Sequence, residues 1–181
     1  MIAIIDYPIG NVQSLYNALS FHGEEIIITS DEKKILKADR VVLPGVGAFG
    51  KAMKELNDRD LPRILKQYID SGKPLLGICL GMQLLLQESE EFGITKGLGF
   101  VEGRVVKFPS STQGKLPHVS WNELSTSKNS RSRGLLNDIG VDQNFYFVHS
   151  FICELNNSED LLATTNYGGH EFCSILKHKN I

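Results

Sequence analysis

A chain of 181 residues, 41% of them hydrophobic and 22% charged, is long enough for one domain with a sizeable core and too ordinary in composition to be disordered. A formal net charge of −2 lacks the basic excess of a general nucleic-acid binder, so no nucleic-acid partner is expected. No apolar run approaches the roughly 18 residues that cross a bilayer, so no membrane partner is expected either.

The N-terminal run Met1 to Ile5, broken by Asp6 and without a basic leader, reads as a first strand and not as a signal peptide. The strand Ile2 to Asp6 leads into the turn-prone Pro8-Ile9-Gly10-Asn11. Val12, Leu15, Tyr16 and Leu19 recur at helical spacing, and Gly23 stops that helix. Glu25 to Thr29 reads as a second strand. Asp31 to Lys37 fits a short helix capped by Ser30 or Asp31, and Arg40 to Leu43 fits a third strand ended by Pro44-Gly45. Helical stretches follow over Ala48 to Asn57 and Leu61 to Ser71, then a fourth strand, Pro74 to Ile78, and a helix directly after Cys79 carrying Met82, Leu85 and Leu86 on one face. This alternation predicts an α/β fold: a mostly parallel central sheet with helices on both faces. After about Gly93 the rhythm becomes β-rich. Phe100 to Phe108, Phe145 to Glu154, Leu161 to Thr165 and Glu171 to Leu176 read as strands, and Ser125 to Arg133 is the most loop-like stretch. No repeat or domain boundary is visible, so residues 1–181 are expected to form a single domain.

The cysteines, Cys79, Cys153 and Cys173, are odd in number and widely spaced, which does not make a disulfide framework. A reducing, cytoplasmic setting is expected. His170 and Cys173 form a lone HxxC, short of the four ligands a closed zinc site needs, so no metal is expected.

One of these thiols sits in a distinctive place. An apolar strand runs into Gly77-Ile78-Cys79-Leu80-Gly81, and a helix follows. That is the pattern of a nucleophile elbow with cysteine in place of serine: flanking glycines leave room for a sharp turn that lifts the thiol out of the sheet. The helix N-terminus beneath it favours an anion and is expected to lower the thiol pKa, and a thiolate is the attacking species in acyl transfer. The competing possibility is a buried structural cysteine, the usual fate of this residue type. A second glycine-rich turn, Pro44-Gly45-Val46-Gly47, also ends a parallel strand. In open α/β sheets strand C-termini line one crevice, so its backbone N–H groups could form half of an oxyanion hole, or it could be a plain tight turn.

Together the two segments resemble the class I glutamine amidotransferases: Gly77 to Gln83 matches the family's nucleophile signature and Pro44 to Gly47 its oxyanion-strand signature. Ile5-Asp6-Tyr7 with Gly10-Asn11, Leu43 to Phe49, Lys115-Leu-Pro-His118-Val-Ser-Trp121-Asn122 and Tyr146 to Ser150 narrow the likeness to the glutaminase subunits of imidazole glycerol phosphate synthases. The likeness covers essentially the whole chain, departing from the family pattern at Pro8, Ser120 and Phe151.

The resemblance implies a flavodoxin-like three-layer sandwich, no cofactor, and hydrolysis of L-glutamine through a thioester on Cys79. It implies that the Leu80 N–H and one from Val46-Gly47 meet the oxyanion, that Gly45, Gln83 and the backbone of Ser150 and Phe151 hold the substrate, and that Asn11, Pro117, His118, Trp121 and Asn122 face a (β/α)8-barrel synthase subunit in a heterodimer for histidine biosynthesis. Gln83 as an exposed helix residue, Ser150-Phe151 as an ordinary strand end and Trp121 as core are the competing expectations; the Pro- and Asn-bearing segment around Trp121 reads as turn-rich. A paralogous glutaminase feeding a sugar amidotransferase in surface-glycan biosynthesis, a non-catalytic binding subunit and a generic cysteine hydrolase remain as rival functions. The family's His-Pro-Glu is not among these residues: His22, His118, His149, His170 and His178 all lack a following Pro-Glu. His178 reads as a surface residue between two lysines. The 181 residues by themselves are therefore expected to show little or no glutaminase activity, the general base being absent.

Overall fold

Four short apolar strands set the frame. In the computed structural model, which describes residues 1–126, 134–137, 139 and 143–181, they are β1 (Ile2–Ile5), β2 (Ile26–Thr29), β3 (Arg40–Leu43) and β4 (Leu75–Gly77). All pair in parallel in the order β2-β1-β3-β4. Every residue of β1 is buried, as a parallel strand covered on both faces requires. The interleaved helices are α1 (Val12–Ser20), α2 (Glu32–Lys37), α3 (Phe49–Asp58) and α4 (Leu61–Asp70), with α5 (Leu80–Leu84) after β4. Asp31 caps α2 by accepting the Lys34 N–H at 2.9 Å. This is the flavodoxin-like order, and it reverses direction at β1. Loops leaving β1 and β3 therefore lie side by side at the carboxyl edge of the sheet. The loop after β4 joins the same edge.

The second half is β-rich, as expected. After β5 (Glu88–Ser89) and β6 (Thr95–Lys96) come β7 (Gly103–Lys107), β8 (His118–Glu123), β9 (Asn144–His149), β10 (Phe151–Leu155), β11 (Leu161–Tyr167) and β12 (His170–Leu176). Six of them form a sheet in the order β11-β12-β10-β7-β5-β6, while β8 and β9 pair only with each other as an antiparallel ribbon. The ribbon leans on the sheet through the bridge Ser125–Thr164 and the Thr165 hydroxyl, which donates to the Glu123 carbonyl at 3.2 Å.

Three expectations change here. Phe145 to Glu154 is two strands in two sheets, broken at Ser150, whose carbonyl accepts the Phe108 N–H at 3.1 Å. The Pro- and Asn-bearing segment around Trp121 is a strand, because β9, far off in sequence, supplies its ladder. His178 is half-buried and pairs with the buried Asp160 at 3.0 Å. Most of the loop-like stretch, residues 127–133, lies outside the described residues. Among those described, no helix is long and apolar enough to cross a membrane.

The main core runs from β1, β3 and β4 through α3 and α4 to Val105 and Cys153. A smaller aromatic cluster of Phe108, Ile152 and Phe172, flanked by Phe147 and Tyr167, lies behind the ribbon. Beside the first residue of β4, the Asn180 carbonyl accepts the Leu75 N–H at 2.9 Å, and the Asn180 amide donates to the Lys73 carbonyl at 2.6 Å.

Candidate active site

Cys79 lies at the junction of β4 and α5 with φ 56° and ψ −118°, a combination that costs an L-residue on the order of 1–3 kcal/mol. The surroundings hold it there. The Ile78 N–H donates to the Leu43 carbonyl at 3.0 Å, and the N–H groups of Met82 and Gln83 close onto the Cys79 carbonyl at 3.0 and 3.3 Å. The glycines serve contact more than conformation. A Cβ at Gly81 would sit 1.9 Å from the Leu43 carbonyl oxygen, and one at Gly77 would sit 2.8 Å from the Met82 backbone. One at Gly45 would meet the Gly81 nitrogen at 2.8 Å. The end of β3 is thus pressed directly against the elbow, and the strain falls on the cysteine itself.

The sulfur reaches solvent, unlike those of buried Cys153 and Cys173. Its pKa is nonetheless raised, because partial burial disfavours the thiolate; only the Leu80 N–H, hydrogen-bonded to the sulfur, pulls the other way. This corrects the expected lowering. The helix beneath is five residues long, and a single donor does not offset the desolvation. Burial pushes Cys173 up to about 12 and Cys153 well above its ordinary value, leaving both as inert thiols.

The turn after β3 is tied to the loop after β1. The Tyr7 hydroxyl donates to the Pro44 carbonyl at 2.6 Å, and the Val46 N–H donates to the Ile9 carbonyl at 2.8 Å. Burial and the nearby Cys79 raise the Tyr7 pKa far above its ordinary range, so its hydroxyl is a permanent donor. In this state the Val46 N–H is committed to Ile9, while Leu80 keeps its N–H at the sulfur. Gly47, at φ 94°, holds the turn in the left-handed region that favours glycine.

Gln83, one turn beyond Cys79, is half-buried and reaches across to β10, where its Nε2 donates to the Phe151 carbonyl at 3.1 Å. The same carbonyl accepts from His149 Nδ1 at 2.9 Å. His149 Nε2 lies 3.0 Å from His118 Nδ1, and His118 Nε2 lies 2.8 Å from Ser120 Oγ and 3.0 Å from Asn122 Oδ1. Gln83 and Phe151 are thus brought together, with Ser150 at the adjoining strand break.

The residues assigned to a partner divide between the faces of the ribbon. Trp121 is 67% exposed and pairs across the strands with Tyr146, ring centroids 5.5 Å apart; exposed Val119 and Val148 form the adjoining pair. Asn11, before α1, and Pro117 are exposed as well. His118 is wholly buried on the opposite face, so its side chain does not reach a partner, and half-buried Asn122 turns inward with it. This corrects the His118 assignment: strand alternation sends even-numbered β8 residues inward. Tyr7, Ile9 and His149 enter the sequence reading only as motif neighbours; their roles depend on contacts across 31 to 37 positions that local patterns do not carry.

Comparison with known proteins agrees with this geometry. Residues 3–181 match the family model described as glutamine amidotransferase class-I. The chain is 41% identical over 181 residues to the imidazole glycerol phosphate synthase subunit HisH of Chlorobaculum tepidum, covering all of this chain and 88% of that protein. It is 49% identical over 169 residues to the protein of the same name from Bacillus cereus, covering 93% and 78%. Among solved structures, one described as a glutamine amidotransferase superposes with a TM-score of 0.64 at 16% identity, covering 94% of this chain and 86% of that one. PurLQS from Thermotoga maritima superposes at 0.60 and 17% identity, covering 93% and 76%. At such identities these two carry the fold alone.

One consequence of the inner network is measurable as stability. Burial, with the neighbouring His118, lowers the His149 pKa from 6.5 to about 4, against the opposing Phe151 carbonyl. The unfolded chain therefore takes up a proton at this residue between pH 6.5 and 4 while the folded chain does not, and stability falls as pH drops through that window. His149→Phe should reduce the loss between pH 7 and pH 4.5 by about 1–3 kcal/mol, measured by urea unfolding. Equal losses in both proteins contradict the assignment of a neutral His149.

Proposed function

The chain belongs to the class-I glutamine amidotransferases, and we propose on that basis that it is the glutaminase of an imidazole glycerol phosphate synthase, hydrolysing L-glutamine at Cys79 and handing ammonia to a synthase subunit. The observation that carries this is the strained Cys79 elbow with the β3 turn packed onto it. Cys79 Sγ attacks the side-chain carboxamide carbon of glutamine. The tetrahedral oxyanion collapses as the C–N bond breaks, ammonia leaves with a transferred proton, and a thioester remains. Water then adds, the C–S bond breaks, and glutamate departs. Gly45 lets the β3 turn pack against the elbow over which the substrate lies, and Gln83 with Ser150 and Phe151 holds its amino-acid end. Proton transfer needs a base within hydrogen-bond reach of the sulfur. The hydrogen-bonded histidines described are engaged elsewhere, His118 and His149 with each other and His178 with Asp160.

The partner in this proposal is a (β/α)8-barrel synthase subunit, in a reducing compartment such as the cytoplasm that suits three free thiols. It docks on the apolar outer face of the ribbon, next to Pro117, and on exposed Asn11 before α1. Exposed paired aromatics of this kind are enriched at interface centres. The Val46 N–H supports a glutaminase that idles alone. To serve as an oxyanion donor, its peptide has to leave the Ile9 carbonyl, and lacking one such donor costs roughly 10² to 10³-fold in rate.

Two experiments test the proposal. A chloromethyl ketone analogue of glutamine should alkylate Cys79, spare Cys153 and Cys173, and be slowed by added glutamine; uniform modification of the three thiols, read by peptide mass spectrometry, contradicts it. Trp121→Ala should weaken binding to the barrel synthase subunit by about 2 kcal/mol or more while the free protein stays folded. Unfolding of the free variant would return Trp121 to the core.

A further inference from the structure

The ribbon carries a second device on its inner face. The His118 ring is sandwiched between Tyr167, at a centroid distance of 3.9 Å and 22°, and Phe147, at 5.1 Å and 14°. His149 is walled by Phe108 at 5.2 Å and Phe172 at 5.0 Å. Neither ring is free to turn, so what remains is where the protons sit. The Phe151 carbonyl can only accept, so His149 carries its proton on Nδ1. In a neutral ring Nε2 is then an acceptor, and it takes the N–H of His118 Nδ1. The Ser120 hydroxyl donates to Asn122 Oδ1, and both oxygens lie within 3.0 Å of His118 Nε2. The chain is directional from His118 to His149 to the Phe151 carbonyl.

That carbonyl has two lone pairs, and both are used. One takes His149 Nδ1–H and the other takes the Gln83 amide. The Gln83 nitrogen is thereby committed to Phe151, which leaves its Oε1 as an acceptor for a substrate N–H. We propose that His149, locked in one tautomer by His118, is a positioning residue that holds the Phe151 carbonyl and through it orients the Gln83 carboxamide for the amino-acid end of glutamine. The inference rests on the glutaminase reading, because it takes Gln83 to face glutamine. His149 does not touch the reacting atoms. It stands two hydrogen bonds from the Gln83 side chain, across two strands and a helix whose association gives no local sequence signal.

The test separates positioning from packing. Asn places its Nδ2 close to where His149 Nδ1 lies and keeps the donor, but fills less of the aromatic pocket. Phe fills the pocket and has no donor. Residues 1–181 carrying His149→Asn or His149→Phe are compared with the unaltered chain in three measurements: urea stability, alkylation of Cys79 by iodoacetamide, and alkylation of Cys79 by the glutamine chloromethyl ketone. Iodoacetamide, which needs no orientation, should react equally with all three. The chloromethyl ketone should react at least tenfold more slowly with His149→Phe and within threefold of the unaltered rate with His149→Asn, although His149→Asn is the less stable of the two. A chloromethyl ketone rate that follows stability, with Asn slower than Phe, overturns the proposal in favour of packing. Equal chloromethyl ketone rates in all three overturn it as well. If the unaltered Cys79 reacts no faster with the chloromethyl ketone than with iodoacetamide, the glutamine site itself fails and the positioning role falls with it.

Discussion

The contact on which the site depends is between two pieces of backbone. The Leu43 carbonyl at the end of β3 occupies the space where any side chain at Gly81 would have to be, and it also takes the Ile78 N–H. With β3 and the elbow locked this closely, the chain leaving β4 has one way to turn into α5. The turn is completed by placing Cys79 at a positive φ. The turn after β3 is adjacent to Cys79 because it is the continuation of that strand. The exposed position of Cys79 and the turn beside it are consequences of one close approach.

The ribbon of β8 and β9 shows how a period of two separates tasks along a single strand. Odd-numbered residues of β8 present Val119 and Trp121 to solvent, and even-numbered ones send His118, Ser120 and Asn122 inward. One face is suited to a partner and the other ends at Gln83 through a run of hydrogen bonds. A one-residue slip in register would exchange the two faces, and the stacked Phe147, His118 and Tyr167 rings resist such a slip.

Much of this was legible in the sequence, and for physical reasons. The strands and helices from Ile2 to Asp70 follow from apolar runs, periodicity and the Asp31 cap, all local signals. The Gly77-x-Cys79-x-Gly81 elbow was legible because few other uses require that spacing. The later strands were seen as elements but not as a topology: the break at Ser150 and the pairing of β8 with β9 depend on partners 31 residues apart at His118 and His149. The direction of the Cys79 pKa shift was misjudged because a helix start is visible in sequence, whereas the helix's brevity and the crowding around the sulfur are not. The inward turn of His118 could have been read from alternation, had the segment been taken as a strand.

The central claim is that packing holds Cys79 in a backbone conformation that an L-residue resists, and the most direct measurement is the relative stability of two variants that both lack the thiol. Alanine at position 79 keeps the strain, and glycine relieves it. At an ordinary position alanine is the more stable choice by about 0.4–1 kcal/mol, through the unfolded chain. Here urea unfolding should show Cys79→Gly more stable than Cys79→Ala by about 1 kcal/mol, the strain relief exceeding that cost. A Cys79→Ala protein that is the more stable by the ordinary margin would mean that the cysteine is unstrained, and the elbow would lose its physical basis.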